Sequence, residues 1–150
     1  AAVNQAKGDG ATPLFIACQT GYLECVQLLL GASAAINQAK DGGFTPLYIA
    51  CEKGQLECAQ LLLEASASAN QAADIGATPL YAACEAGHID IVRLLLEASA
   101  AINQANRSGA TPLFIACQKG QLECVRLLLE ASAAINQANR SGATPLFIAC

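Results

Sequence analysis

Gly10-Ala11-Thr12-Pro13-Leu14-Phe15-Ile16-Ala17-Cys18 returns as Gly43-Phe44-Thr45-Pro46-Leu47-Tyr48-Ile49-Ala50-Cys51, 33 residues later. The same string, lightly varied, starts again at Gly76, Gly109 and Gly142. A fixed period of 33 without a gap marks a repeat array, so one unit explains the whole chain. Each unit reads as two short helices. The Gly supplies a backbone angle that other residues resist, and so marks a tight turn. The Thr caps a helix by accepting a bond from an orphan N–H. Pro follows at the first helical position, where its missing donor costs nothing. This predicts a helix over Pro13–Thr20, broken by Gly21, with Gly54, Gly87 and Gly120 as its equivalents. A second helix is predicted over 23–32. Its Leu23, Val26, Leu29 and Leu30 recur at three- and four-residue steps and share a face. Neither helix is stable alone in water. Stacked, each pair covers its neighbour's apolar face and the core runs along the array.

Composition agrees. The 150 residues are 54% hydrophobic but only 5% aromatic, so the apolar content is largely Ala and Leu, the best helix formers. No apolar run is long enough to span a membrane. The first residues lack the basic start and apolar core of a leader. A net charge of −4 gives no reason to expect a nucleic-acid partner.

Eight cysteines raise the question of disulfides or metal. Five recur every 33 residues, at Cys18, Cys51, Cys84, Cys117 and Cys150; Cys25, Cys58 and Cys124 form a second series in which Ile91 fills the open slot. A slot that accepts Cys or Ile is an apolar core position. With no CxxC pair and one His, no zinc site is expected. Stacked helices lie about 8–10 Å apart, too far for bridges between repeats, though a bridge within a unit such as Cys18 to Cys25 stays open. Reduced thiols are the expectation, and with them a reducing, intracellular (cytoplasmic) compartment.

Gly-x-Thr-Pro-Leu-x-x-Ala, then Gly, then Leu-Glu-x-Val-x-Leu-Leu-Leu-Glu, at this period, resembles the ankyrin repeat over essentially the whole chain. The resemblance implies an all-α solenoid of stacked helix-turn-helix units with projecting hairpin or loop tips. It implies a protein partner bound by the concave face and the tips. The residues themselves offer no nucleophile–base pair, metal site or cofactor loop, so no enzyme activity and no cofactor are expected. The units are 4–36, 37–69, 70–102, 103–135 and a partial 136–150. Ala1 starts in the tail of a unit and Cys150 stops inside a first helix, with no polar capping unit, so the array is expected to be a segment of a longer one. Four columns depart from the family pattern. Phe15, Tyr48, Tyr81, Phe114 and Phe147 stand where His is common. The second Ala of the usual pair is Cys. Ser33, Ser66, Ser99 and Ser132 replace a helix-end Gly. Lys7, Lys40, Ala73, Asn106 and Asn139 replace a turn Asp.

Several residues invite chemistry and receive a plainer reading. His88 occupies the slot held elsewhere by Tyr22, Gln55 and Gln121, so it is read as structural or surface. Asn106-Arg107-Ser108 and Asn139-Arg140-Ser141 match a glycosylation sequon, but Asn there also fills a turn. The family resemblance makes Asn37, Asn70, Asn103 and Asn136 candidates for hydroxylation; their simpler role is to bridge adjacent loops. The aromatic column is read as partly buried packing rather than as a partner-binding stripe.

Charge separates the two sides. The second helices carry seven acids against Arg93 and Arg126, a net of −5; tips and first helices carry six basic against five acidic residues, a net of +1. Differences between units also concentrate on that front. The candidate partner-binding residues are therefore Lys7, Asp9, Lys40, Asp41, Asp74, Ile75, Arg107, Ser108 and Arg140 at the tips, with Gln19, Glu52, Lys53, Glu85, Gln118 and Lys119 on the first helices. Arg107, Lys119 and Arg140 lack acidic neighbours and favour an acidic partner. The units are otherwise nearly identical, 92–117 repeating residue for residue at 125–150. That keeps a second reading open: a structural rod or filament built by continuous or end-to-end stacking, through self-association of apolar ends.

Overall fold

The computed structural model describes residues 2–146. Among the described residues eight helices follow in four pairs: α1 Pro13–Thr20 and α2 Leu23–Gly31; α3 Pro46–Lys53 and α4 Leu56–Glu64; α5 Pro79–Ala86 and α6 Ile89–Glu97; α7 Pro112–Gln118 and α8 Leu122–Glu130. The sequence reading places both helices of the first unit within one residue.

Local chemistry sets each boundary. Thr12, Thr45, Thr78 and Thr111 are extended at the N-caps, and each hydroxyl accepts the N–H three residues on, at 3.0–3.2 Å. All four are buried, so water does not replace that bond if it is lost. α1, α3 and α5 end on Gly21, Gly54 and Gly87 in the left-handed region. α7 stops one residue earlier, with Lys119 right-handed and Gly120 taking the left-handed angle. The second helices have no side-chain cap. Glu24, Glu57, Asp90 and Glu123 in their first turns complement the helix dipole instead.

The second helices end in a left-handed Ser. Ser33, Ser66, Ser99 and Ser132 have φ of 61°, 68°, 60° and 66°. The next residue's N–H reaches back to the carbonyl of Leu29, Leu62, Leu95 or Leu128, the six-to-one bond of a Schellman end. This is the conformation for which the family pattern uses Gly, so the substitution leaves strain at four sites.

The core is continuous. Leu14, Leu47, Leu80 and Leu113 are buried, as are Leu62, Leu95 and Leu128 in the second helices. Cys18, Cys51, Cys84, Cys58 and Cys124 pack among them, free and inaccessible. Burial pushes the Cys18 thiol up to about 12, with Cys58 adding to the effect. Cys84 is pushed well up for the same reason, beside Cys124. Two members depart from the core expectation: Cys25 is exposed and Cys117 half-buried, because among the described residues no further unit packs on them. Cys150 lies outside the described residues.

The aromatic column goes deeper than expected. Phe15, Tyr48, Tyr81 and Phe114 are at most 8% exposed, so it is core and no stripe for a partner. Phe147 lies outside the described residues. First helices pack on one another more closely than second helices do.

Candidate interaction surface

Between units the chain forms a five-residue tip. In the second, the Lys40 N–H donates to the Phe44 carbonyl (2.9 Å) and the Gly43 N–H to the Lys40 carbonyl (2.9 Å). Lys7 and Ala11, Ala73 and Ala77, Asn106 and Ala110, and Asn139 and Ala143 repeat the arrangement. A three-residue loop closed by a left-handed Gly is a standard hairpin solution.

The tips are then joined to each other by a ladder of main-chain bonds. The Asp41 N–H donates to the Asp9 carbonyl (3.0 Å), Asp74 to Gly42 (2.8 Å), Arg107 to Ile75 (2.9 Å) and Arg140 to Ser108 (2.8 Å). This ladder runs the length of the array. It explains the Gly column twice over. Gly76 needs its φ of +81°, and a Cβ there would lie 2.7 Å from the Arg107 nitrogen. At Gly109 the corresponding distance to the Arg140 nitrogen is 2.9 Å.

Two side-chain columns strengthen the joints. Oδ1 of Asn4, Asn37, Asn70 and Asn103 accepts the N–H of Ala35, Ser68, Ala101 and Ala134 in the next loop, at 2.7–2.9 Å. The loop asparagines therefore bridge successive loops. Asn136 also occupies that column. Nearer the helices, His88 Nε2 sits 3.1 Å from the Glu52 carbonyl, as the amides of Gln55 and Gln121 sit by Gln19 and Glu85. The His88 ring lies over Gly54, where a Cβ would meet it at 2.7 Å. His88 thus closes the end of the preceding unit's first helix, an interlocking role that its slot in the repeat implies.

Against this frame the front residues fall into two rows. Lys7, Asp9, Asp41, Asp74, Ile75, Arg107, Ser108 and Arg140 are exposed on the tips, and Lys40 is half-buried among them. Lys53, Glu85, Gln118 and Lys119 are exposed at the ends of the first helices, with Gln19 and Glu52 half-buried. Ser141, which the sequence reading left out, stands exposed in the column of Ser108; the 33-residue period alone identifies it.

Some charges are already engaged. Lys40 Nζ pairs with Asp9 at 3.1 Å and lies 5.6 Å above the Phe15 ring; the lysine and the Ala11 N–H hold the Asp9 carboxyl below its ordinary range. Lys53 pairs with Glu52 at 3.1 Å. On the back, Glu123 pairs with Arg126 at 3.5 Å. Among the described residues no ion pair engages Asp41, Asp74, Glu85, Arg107, Lys119 or Arg140. The sequon asparagines are occupied by their own turns. Asn106 Oδ1 accepts from the Ser108 N–H, the Ser108 hydroxyl and the Ala110 N–H, and Asn139 does the same.

Among the described residues no cluster of three His, Cys, Asp or Glu side chains is placed to hold a metal, and no helix is long and apolar enough to cross a membrane. Two open apolar depressions lie at the ends of the stack. One, of about 570 Å³, is lined by Ile16, Tyr22, Leu28 and Leu29 among others. The other, of about 330 Å³, is lined by Leu113, Val125, Leu129 and Ile135 among others.

Comparison with protein families returns one family model, described as ankyrin repeats (3 copies). It matches residues 1–73, 34–106, 68–139 and 99–150, overlapping windows that cover the whole chain. No curated protein matches the chain closely enough to serve as a relative.

Proposed function

The chain belongs to the ankyrin-repeat family, and on that premise we propose that it is a non-catalytic scaffold that binds a protein partner through its tips and inner first-helix face. Ankyrin repeats are generally protein–protein interaction modules, and proteins built from them are typically non-catalytic. The observation that carries the finer reading is the tip ladder. Its bonds are main chain to main chain, so it holds a row of exposed side chains in fixed register without using them. Such preorganisation lowers the ordering cost of binding. Arg107, Lys119 and Arg140 give the C-terminal part of the front an affinity for acidic segments. Free, buried thiols favour a reducing, intracellular setting.

The test uses a photo-crosslinking residue at Ser108 on the tips and, separately, at Glu97 on the back. A partner captured from Ser108 alone is purified and its binding measured against R107E and R140E variants. Binding that survives both variants unchanged, or capture only from Glu97, removes the reading.

A second reading has its own observation. Tyr22 and Leu28 at one end, and Leu122, Leu129 and Ile135 at the other, are exposed although their columns are at least half-covered between units. The two end faces are therefore the two halves of the joint that repeats inside the array, and end-to-end stacking into a rod would bury both. Electron microscopy at high protein concentration tests it: extended rods are expected, and discrete single particles at every concentration remove it.

A further inference from the structure

One column of the ladder stands out once the tips are aligned. Its members donate the inter-unit bond and occupy equivalent places: Asp41, Asp74, Arg107 and Arg140. Gly8 occupies the same place in the first tip. All four charged side chains are exposed, and among the described residues none is in an ion pair. Asp74 does not reach Arg107 in the next tip. Its Oδ1 is turned back over Gly43, 2.6 Å from where a Cβ would stand, and Asp41 is turned back over Gly10 in the same way. The charges thus run acid, acid, base, base at the spacing of stacked units, about 10 Å. Ile75 is 52% exposed beside the change of sign, and its carbonyl accepts the Arg107 N–H.

That order is self-complementary only when reversed. We propose that the tip ridge pairs with the ridge of a second copy, antiparallel, about a two-fold axis between the tips of Asp74 and Arg107. Asp41 of one copy then faces Arg140 of the other, Asp74 faces Arg107, and the two remaining pairs follow by symmetry. All four positions meet an opposite charge. Moving the axis by half a unit puts Asp74 on Asp74 or Arg107 on Arg107, and a parallel pairing in register opposes like charges throughout. A parallel pairing slipped by two units keeps only half of the contacts. The antiparallel register is therefore selected by exclusion of the others as well as by attraction. The two copies of Ile75 flank the axis, each against Ser108 of its mate, and supply the apolar contact at the centre of the patch. The interface is isologous and closes at two copies. It is held by exposed charges, so it is weak and sensitive to salt.

The proposal rests on the tips being the binding surface and adds who binds there. Sedimentation velocity is run on the wild-type chain across protein concentration and salt, and on two variants: D41R/D74R, whose column is wholly basic, and R107D/R140D, whose column is wholly acidic. Circular dichroism checks that each variant keeps its helices. The wild type is expected to form a dimer that dissociates as salt rises, while each variant alone stays monomeric. An equimolar mixture of the two variants is expected to restore a dimer. I75S is expected to weaken the wild-type dimer several-fold. A monomeric wild type at all concentrations, a variant that dimerises as the wild type does, or a mixture that stays monomeric overturns the proposal. If the wild type is monomeric but the tip variants lose a heterologous partner, self-pairing falls and the scaffold reading stands. Association through the apolar ends is told apart by its growth beyond two copies and its indifference to these tip substitutions.

Discussion

Replacing Ser33, Ser66, Ser99 and Ser132 together by Gly should stabilise the array. Each serine sits in the left-handed region, at φ between 60° and 68°, where its Cβ crowds the following carbonyl. That conformation costs an L-residue roughly 1–2 kcal/mol. Gly removes the cost but gives back about 0.5–1 kcal/mol through the greater freedom of the unfolded chain. The net gain is about 0.5–1 kcal/mol per site. Nothing offsets it on the folded side: all four residues are exposed, and among the described residues their hydroxyls make no hydrogen bond. The sites lie one unit apart and share no partner, so the gains should add to about 2–4 kcal/mol. For a chain of this size that corresponds to a rise in Tm of roughly 4–16 °C.

Differential scanning calorimetry and urea denaturation of the single, double and quadruple variants would measure it, with Ser→Ala at the same sites as control. Alanine keeps the Cβ and should be within about 0.5 kcal/mol of neutral. A neutral or destabilised quadruple Gly variant would refute the strain argument, as would alanine variants that gain as much as glycine variants.

Other consequences follow from single columns. Gly76→Ala combines a strained φ with a Cβ 2.7 Å from the Arg107 nitrogen; it should cost more than about 2 kcal/mol and raise hydrogen exchange at Arg107 and Asp74. Thr78→Ala removes a buried cap bond of 3.2 Å to Tyr81 and should lower stability by about 1–2 kcal/mol in denaturant titration. In the native protein Cys25 should react with a thiol reagent before Cys18, Cys51, Cys58, Cys84 or Cys124, as peptide mapping would show. The folded Cys18 thiol stays protonated up to about 12, above the free-thiol value of 9.0. The unfolded chain therefore releases its proton first. The stabilisation is complete below pH 9 and is lost as pH rises toward 12, so the denaturation midpoint should fall across that window; a midpoint that held steady there would contradict it.

What could be read in advance was whatever the repeat enforces. Thr-Pro after a Gly specifies cap, first turn and hairpin by local geometry alone, and it placed α1 to the residue. The cysteine columns were legible because Ile91 shows what that slot tolerates. Three features were not legible. The full burial of Tyr48 and Tyr81 depends on how closely the neighbouring unit approaches, which no local pattern records. The exposure of Cys25 follows from there being no unit packed on that face among the described residues. The ladder was invisible because its donors and acceptors are backbone atoms, and every residue but proline has both. The Gly column was its one trace in the sequence, and it was read as a turn requirement. Gly76 and Gly109 show that clearance for the next tip is a second requirement at the same position.

This division of labour also explains where the units differ. Columns whose side chains hold the stack change little: Thr at the cap, Leu in the core, Asn across the joint, Gly beneath the neighbouring tip. Even the substitution of His88 for Gln keeps a bond to the preceding helix end. The column of Asp41, Asp74, Arg107 and Arg140 contributes only its N–H groups to the ladder, so its side chains can reverse charge without disturbing any inter-unit bond. An array built this way can change the side chains of that column without touching the main-chain bonds between its tips. Ala73, Asn106 and Lys40 make the same point from inside the tip. Three chemically different side chains occupy one turn position, and in all three the pair of main-chain bonds that closes the turn is kept.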